Sequence, residues 1–161
     1  MIKRSRVAGL GIGAALLVAV LQHEGWSDKA YIPVPGDVPT IGAGRTEGVK
    51  MGDKTEPVRE MVYLLNNLED VYGAGVKRCV TVPLYQHEYD AFVSLAYNVG
   101  VPTFCRKAKP GKPDNLIDLI NKGEYARACE RIEAFNKSGG KVYRGLVKRR
   151  AKERAICEGR A

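Results

Sequence analysis

Only two histidines, one tryptophan and three phenylalanines occur in this chain, and its four cysteines never form a C-x-x-C pair. These shortages remove the usual zinc and dithiol motifs. His23 and His87 lie far apart, neither inside a cluster of potential ligands, so no metal and no cofactor is expected. There is also no apolar run long enough to cross a bilayer comfortably. The stretch Val7–Leu21 has fifteen residues, roughly 22 Å as a helix against a hydrocarbon core of about 30 Å. Three glycines and four alanines weaken it further, and no small-x-small cleavage site follows Ala19. Internal repeats and low-complexity tracts are missing too, which excludes solenoid and disordered classes. Acidic residues are outnumbered 18 to 26, leaving a net charge of +8. That surplus favours a polyanionic neighbour (nucleic acid, anionic lipid or an acidic wall polymer) without choosing among them.

What is present suits one domain with two lobes. The 161 residues can bury a real core, with an ordinary 45% apolar and 27% charged composition. "MIKRSR" places Lys3, Arg4 and Arg6 ahead of the weakly apolar stretch, as a basic n-region precedes an h-region. The favoured reading is an uncleaved, marginally stable export anchor over residues 1–22, inserted with its N-terminus inside. The bland reading is a buried or amphipathic N-terminal helix of a soluble protein. Export would let Cys79, Cys105, Cys129 and Cys157 form two disulfides, with three pairings open; a reducing cytosol would leave four small buried apolar residues.

Along the chain, segment 18–30 is compatible with a helix. Tyr31 to Gly44 carries three prolines and three glycines and predicts turns and short strands, with "PGDVPT" as a hairpin tip and Val34, Val38 and Ile41 on strand positions. Helical periodicity runs from Glu56 to about Tyr72. "PLYQHEYDAFVSLAYNVG" is a broad-faced helix stopping at Gly100. Asp114 is expected to cap "NLIDLINKG"; "EYARACERIEAFN" and "GLVKRRAKERAICEG" are the last helices. This predicts an α+β, mainly α-helical fold: a small β-hairpin lobe at about 31–55, a larger helical lobe at about 56–161, and a ligand cleft between them.

Glu24 follows the apolar run and precedes Trp26, a setting that desolvates a carboxylic acid and suits it to general-acid work. Asp37 is the acidic residue of the Pro/Gly stretch, and Thr40 offers a hydroxyl beside it. Taken singly, a glutamate at a helix end is usually a solvated cap, and a Gly-Asp in a hairpin usually a turn former.

"HEGWSDKAY" followed by "PTIGAGRT" resembles the catalytic segment of phage-type lysozymes, the endolysins of tailed phages. "VPLYQHEYDAFVSLAYNVG", "FC" at 104–105 and "GGKVYRGLVKRRAKERAIC" at 139–157, including Glu153, resemble further family blocks in the same order. The likeness covers about residues 18–159. It implies a two-lobed lysozyme-like fold for residues 23–161 and a Glu–Asp–Thr triad, with Glu24 and Thr40 in two of the places. The family's aspartate position is Pro33 here, and the Glu24–Thr40 spacing is one residue longer than usual, so the role is carried to Asp37. Asp28, at i+4 from Glu24 in the predicted helix, is the weaker candidate. The resemblance also implies Tyr31, Tyr97 and Asn98 as sugar contacts, and cleavage of the β-1,4 bond between N-acetylmuramic acid and N-acetylglucosamine in peptidoglycan. The expected partners are glycan strands and, transiently, the inner membrane through residues 7–21, with no nucleic acid; the expected form is a monomer in the host periplasm. A lytic transglycosylase using one glutamate, and a basic non-enzymatic membrane- or wall-binding module, are the alternatives. Cys105 and Cys129 flank one helix-loop unit, which predicts Cys105–Cys129 and, by elimination, Cys79–Cys157. The cluster Arg149, Arg150, Lys152 and Arg154 reads as a solvated basic face with one or two ion pairs, Glu153 among the partners.

Overall fold

The computed structural model describes residues 3–160, except the side chains of His23 and Glu24. Two compact units emerge: Ala14–Asn67, and Met1–Gly13 together with Leu68–Ala161.

The smaller unit opens with α1, Ala14–Glu24. Leu16 and Val20, one helical turn apart, are buried, and Val18 on the other side of the helix is half exposed. The helix stops earlier than the sequence predicts. Gly25 takes a left-handed φ of 75° that a side chain would resist, and the chain reverses into strand β1, Ser27–Tyr31. Residues 25–30 are therefore not helical, and Asp28 is on a strand rather than on Glu24's helical face. β1 pairs antiparallel with β2, Thr40–Gly42, through Ser27↔Gly42 and Tyr31↔Thr40; the extra residues of β1 are absorbed by a register shift. Ile41 is a buried strand residue as predicted, whereas Val34 and Val38 lie in the exposed connection. α2, Pro57–Asn67, buries Glu60 and Leu64.

The larger unit continues through a π-helical segment, Leu68–Gly73, into α3, Ala74–Cys79. Its centre is α4, Gln86–Val99, in which every residue from Glu88 to Ala96 is buried and Gly100 (φ 82°) ends the helix. Around it lie α5, Val101–Phe104; α6, Leu116–Asn121; α7, Tyr125–Arg131; and α8, Arg144–Cys157. A short hairpin of β3, Lys137–Ser138, and β4, Lys141–Val142, turns through Gly139 and Gly140 between the last two predicted helices.

Three expectations change here. The cap of α6 is Asn115, whose pairing with Asp118 at N3 forms a capping box, while Asp114 pairs with Lys122. The disulfides are Cys79–Cys105 and Cys129–Cys157, with Cα separations of 5.8 and 5.6 Å. Flanking in sequence does not bring Cys105 to Cys129, because α3 packs on α5 while α7 packs on α6 and α8. Each bridge closes a loop whose cross-link contributes about 3 kcal/mol. Finally, the basic cluster on α8 is not a solvated face: Arg150 and Glu153 are fully buried and Arg149 nearly so, with Lys152 alone exposed and Arg154 between these extremes.

Residues 7–21 do not form one helix. Val7–Gly9 is a 3-10 turn, residues 10–13 are non-helical, and only then does α1 begin. Among the described residues no helix is long and apolar enough to cross a membrane. Of the basic residues, 21 of 26 fall in the larger unit against 11 of the 18 acidic ones, so the positive surplus belongs to it.

Candidate active site

The smaller unit carries Glu24, Tyr31, Asp37 and Thr40. Glu24 is the last residue of α1, one residue before the Gly25 reversal. Its side chain, and that of His23, lie outside the described residues. Because β1 starts at Ser27 opposite Gly42, the hairpin runs from the Glu24 end toward the Tyr31–Thr40 pair. Thr40 is buried and its hydroxyl donates to the Val38 carbonyl at 3.2 Å, which leaves oxygen lone pairs able to accept. Asp37 sits on the exposed turn closed by Asp37 N–H to Val34 O at 2.9 Å. Its carboxylate accepts the Val38 N–H at 2.9 Å. Val38 thus ties the two candidate side chains together, Asp37 through its amide and Thr40 through its carbonyl. Tyr31 is 40% exposed, opposite Thr40 across the strands.

Asp28 faces a separate cavity of about 460 Å³, lined also by Lys54, Thr55, Glu56 and Arg59. Its carbonyl accepts from Thr55 N–H at 2.9 Å, a strand-edge role.

Sequence reasoning missed the group that holds β2 in place. Glu60, 2% exposed, accepts from Arg45 Nη2 at 2.6 Å, Arg45 Nε at 2.9 Å and Thr55 Oγ1 at 2.6 Å. The Arg45 guanidinium keeps this carboxyl below the ordinary carboxylate range, against the opposing effect of burial. Gly42 (φ 63°) closes the arrangement: a Cβ there would stand 2.6 Å from the Glu60 carboxylate. The one sequence signal for this contact is the glycine pattern of "TIGAGRT", which reads as backbone geometry rather than as room for a buried acid.

Tyr97 and Asn98 belong to the larger unit, in the last turn of α4. Tyr97 is half-buried, with its ring edge-to-face on Tyr72 at 5.0 Å between centroids, and Asn98 is exposed. Among the described residues no three His, Cys, Asp or Glu side chains come together as a metal-binding group.

Comparison with known proteins extends this geometry. The family described as Phage lysozyme matches residues 21–153, a range that contains every one of these site residues. The chain is 34% identical over 146 residues to an endolysin of Bacillus phage PZA, covering 90% of this chain but 54% of that protein, so it spans about half of that relative's length. It is 38% identical over 138 residues to a SAR-endolysin of Haemophilus phage HP1, covering 78% of this chain and 69% of the relative. Among solved structures, an endolysin from Escherichia coli O157:H7 phage FAHEc1 superposes with a TM-score of 0.78 at 30% identity, covering 96% of both chains. With most of its length and its whole candidate site inside these matches, the chain belongs to the phage lysozyme family.

Proposed function

We propose that this chain is a phage endolysin that hydrolyses the β-1,4 bond between N-acetylmuramic acid and N-acetylglucosamine in peptidoglycan, lysing the host cell. The family match across residues 21–153 carries the reading, because it includes Glu24, Asp37 and Thr40 in one segment. Glu24 protonates the leaving glycosidic oxygen. Asp37, through the Val38 linkage to Thr40, orients the attacking water on the opposite sugar face. Tyr31, Tyr97 and Asn98 contact the sugars. The basic surplus of the larger unit suits the acidic wall polymer.

One observation favours a second reading, a lytic transglycosylase acting on the same bond. Asp37 is exposed and spends a carboxylate oxygen on its neighbour's amide, and the family's aspartate position is Pro33. A transglycosylase needs the glutamate alone. Asp37→Ala separates the two. Hydrolysis through Asp37 predicts a fall of about 10²-fold or more in turbidity loss of outer-membrane-stripped cells, with reducing-end sugars as products. Full activity of this variant with anhydro-sugar products would replace the hydrolase by the transglycosylase.

In the same proposal, residues 7–21 first hold the chain at the inner membrane facing the periplasm and later leave it. The short, glycine-rich stretch is a weak anchor, which makes departure feasible. A Cβ at Gly9 or Gly11 would meet nothing within 4 Å, whereas one at Gly13 would stand 2.2 Å from the Asp90 carboxylate. Gly9→Leu with Gly11→Leu therefore strengthens the anchor without crowding the fold, by about 3–6 kcal/mol of added apolar transfer. The expected result is a chain retained in the membrane fraction and lytically silent. Wild-type lysis from a fully released double variant would remove the anchor from the proposal.

A further inference from the structure

The N-terminal basic residues are not equivalent. Lys3 and Arg6 are exposed, whereas Arg4 enters a built site on the larger unit. Its guanidinium lies 3.7 Å from the Tyr125 ring centroid and 4.2 Å from that of Tyr85. Its Nη2 and Nε donate to Glu88 Oε1 and Oε2 at 2.6 and 3.0 Å. The Glu88 side chain is 4% exposed and accepts also from the Tyr85 amide at 2.8 Å. Tyr125 is fixed by donating its hydroxyl to the Pro83 carbonyl at 2.8 Å. Two aromatic faces and a fork-shaped acceptor fit a planar guanidinium; an ammonium can use the aromatic faces but not the two-point contact with Glu88.

The rest of the segment docks on the same surface. Ser5 and Leu84 exchange backbone hydrogen bonds of 2.8 and 2.9 Å, and Val7 and Leu10 are buried. Gln86 Nε2 donates to the Gly11 carbonyl at 2.8 Å, the Ile12 amide donates to Glu69 at 3.0 Å, and the Gly13 amide donates to Asp90 at 2.9 Å.

We infer that Tyr85, Glu88 and Tyr125 form an arginine-binding cage whose partner is this chain's own basic N-terminus, and that Arg4 is the latch holding the segment on the folded domain. The inference rests on the anchor reading above for its consequence. An N-terminus held on the far side of a membrane leaves the cage vacant, so filling it favours the released chain over the tethered one. Lys3 and Arg6, lacking such a site, do not contribute.

Arg4→Lys keeps the charge that orients an anchor but loses the bidentate fork; Tyr125→Leu removes one face of the cage. In the purified soluble full-length chain, hydrogen exchange of residues 3–13 is expected to rise about tenfold or more in both variants. It should stay at the wild-type rate in Arg6→Lys and rise less in Tyr125→Phe, which keeps the ring but loses its bond to the Pro83 carbonyl. In cells, the membrane-retained fraction is expected to rise in Arg4→Lys and not in Arg6→Lys. Unchanged exchange in Arg4→Lys and Tyr125→Leu overturns the latch, as does equal loosening by Tyr125→Phe, which keeps the ring. Faster exchange with an unchanged membrane fraction overturns its part in release. A wild-type chain never found in membranes would defeat the anchor reading instead, and the exchange result would still decide the cage.

Discussion

Glu24→Gln is expected to lower wall lysis by about 10²–10⁴-fold, the range for removing a positioned general acid. Glutamine matches glutamate in shape and can still hydrogen-bond a sugar, but it has no proton to pass to the leaving oxygen. The loss should therefore fall on kcat, with KM for glycan fragments little changed and wall binding kept. The position explains why no neighbour can substitute. Glu24 ends α1, Gly25 reverses the chain, and the next acid, Asp28, is on β1 facing the cavity of Lys54 and Arg59. Asp28→Asn is the matching control and should leave lysis at the wild-type level. Thermal unfolding of both variants should coincide with that of wild type. A Glu24→Gln protein lysing stripped cells at more than about a tenth of the wild-type rate would reduce this residue to a helix terminus and put the general acid elsewhere in the chain.

How far the sequence foretold the structure depends on the element. α4 was legible because apolar residues at helical spacing run to a glycine, and Gly100 stops it as such glycines do. At the cap of α6, Asp114 and Asn115 both suit an N-cap, and only the spacing Asn115–Asp118 picks the right one. β1 is hidden in the sequence: "SDKAY" has no apolar alternation, because none of its five residues is buried, while its partner β2 is buried throughout. Disulfide pairing depends on which helices meet, which no local signal carries; the four cysteines were visible, their partners were not. For the candidate site, the identity of Glu24 and Thr40 came from family resemblance, and the hairpin around them from prolines and glycines. The Glu60–Arg45–Thr55 group is out of sight because an isolated glutamate on a helix looks like surface until the arginine and threonine that pair with it are found.

The same blindness applied more strongly to α8, where the largest stability effect is expected. Replacing Glu153 by alanine should destabilise the protein by about 3–5 kcal/mol. Glu153 Oε1 accepts from Ser94 Oγ at 2.8 Å and Arg150 Nη2 at 3.0 Å, and its Oε2 lies 2.7 Å from Arg150 Nε. Burial pushes this carboxyl's pKa up and the Arg150 guanidinium's down, each opposed by the attraction of the other. The pair as a whole is thus no net source of stability, because in both groups desolvation outweighs the attraction. Removing one member is different. Arg150 is 0% exposed and its Nη1 already lacks a hydrogen-bond partner, so the alanine variant strands a buried cation. In a chain of this length the midpoint of thermal unfolding should fall by about 10 °C. Arg150→Met combined with Glu153→Leu should recover part of the loss, since it removes the stranded Arg150 charge although Arg149 Nε still loses its 3.3 Å contact with Glu153 Oε1. The double-mutant cycle measures this directly: a large coupling energy with a partly recovered double variant means that burial of charge sets the cost. Additive losses would instead assign the effect to the hydrogen bond from Ser94 on α4 and to the packing of α4 against α8.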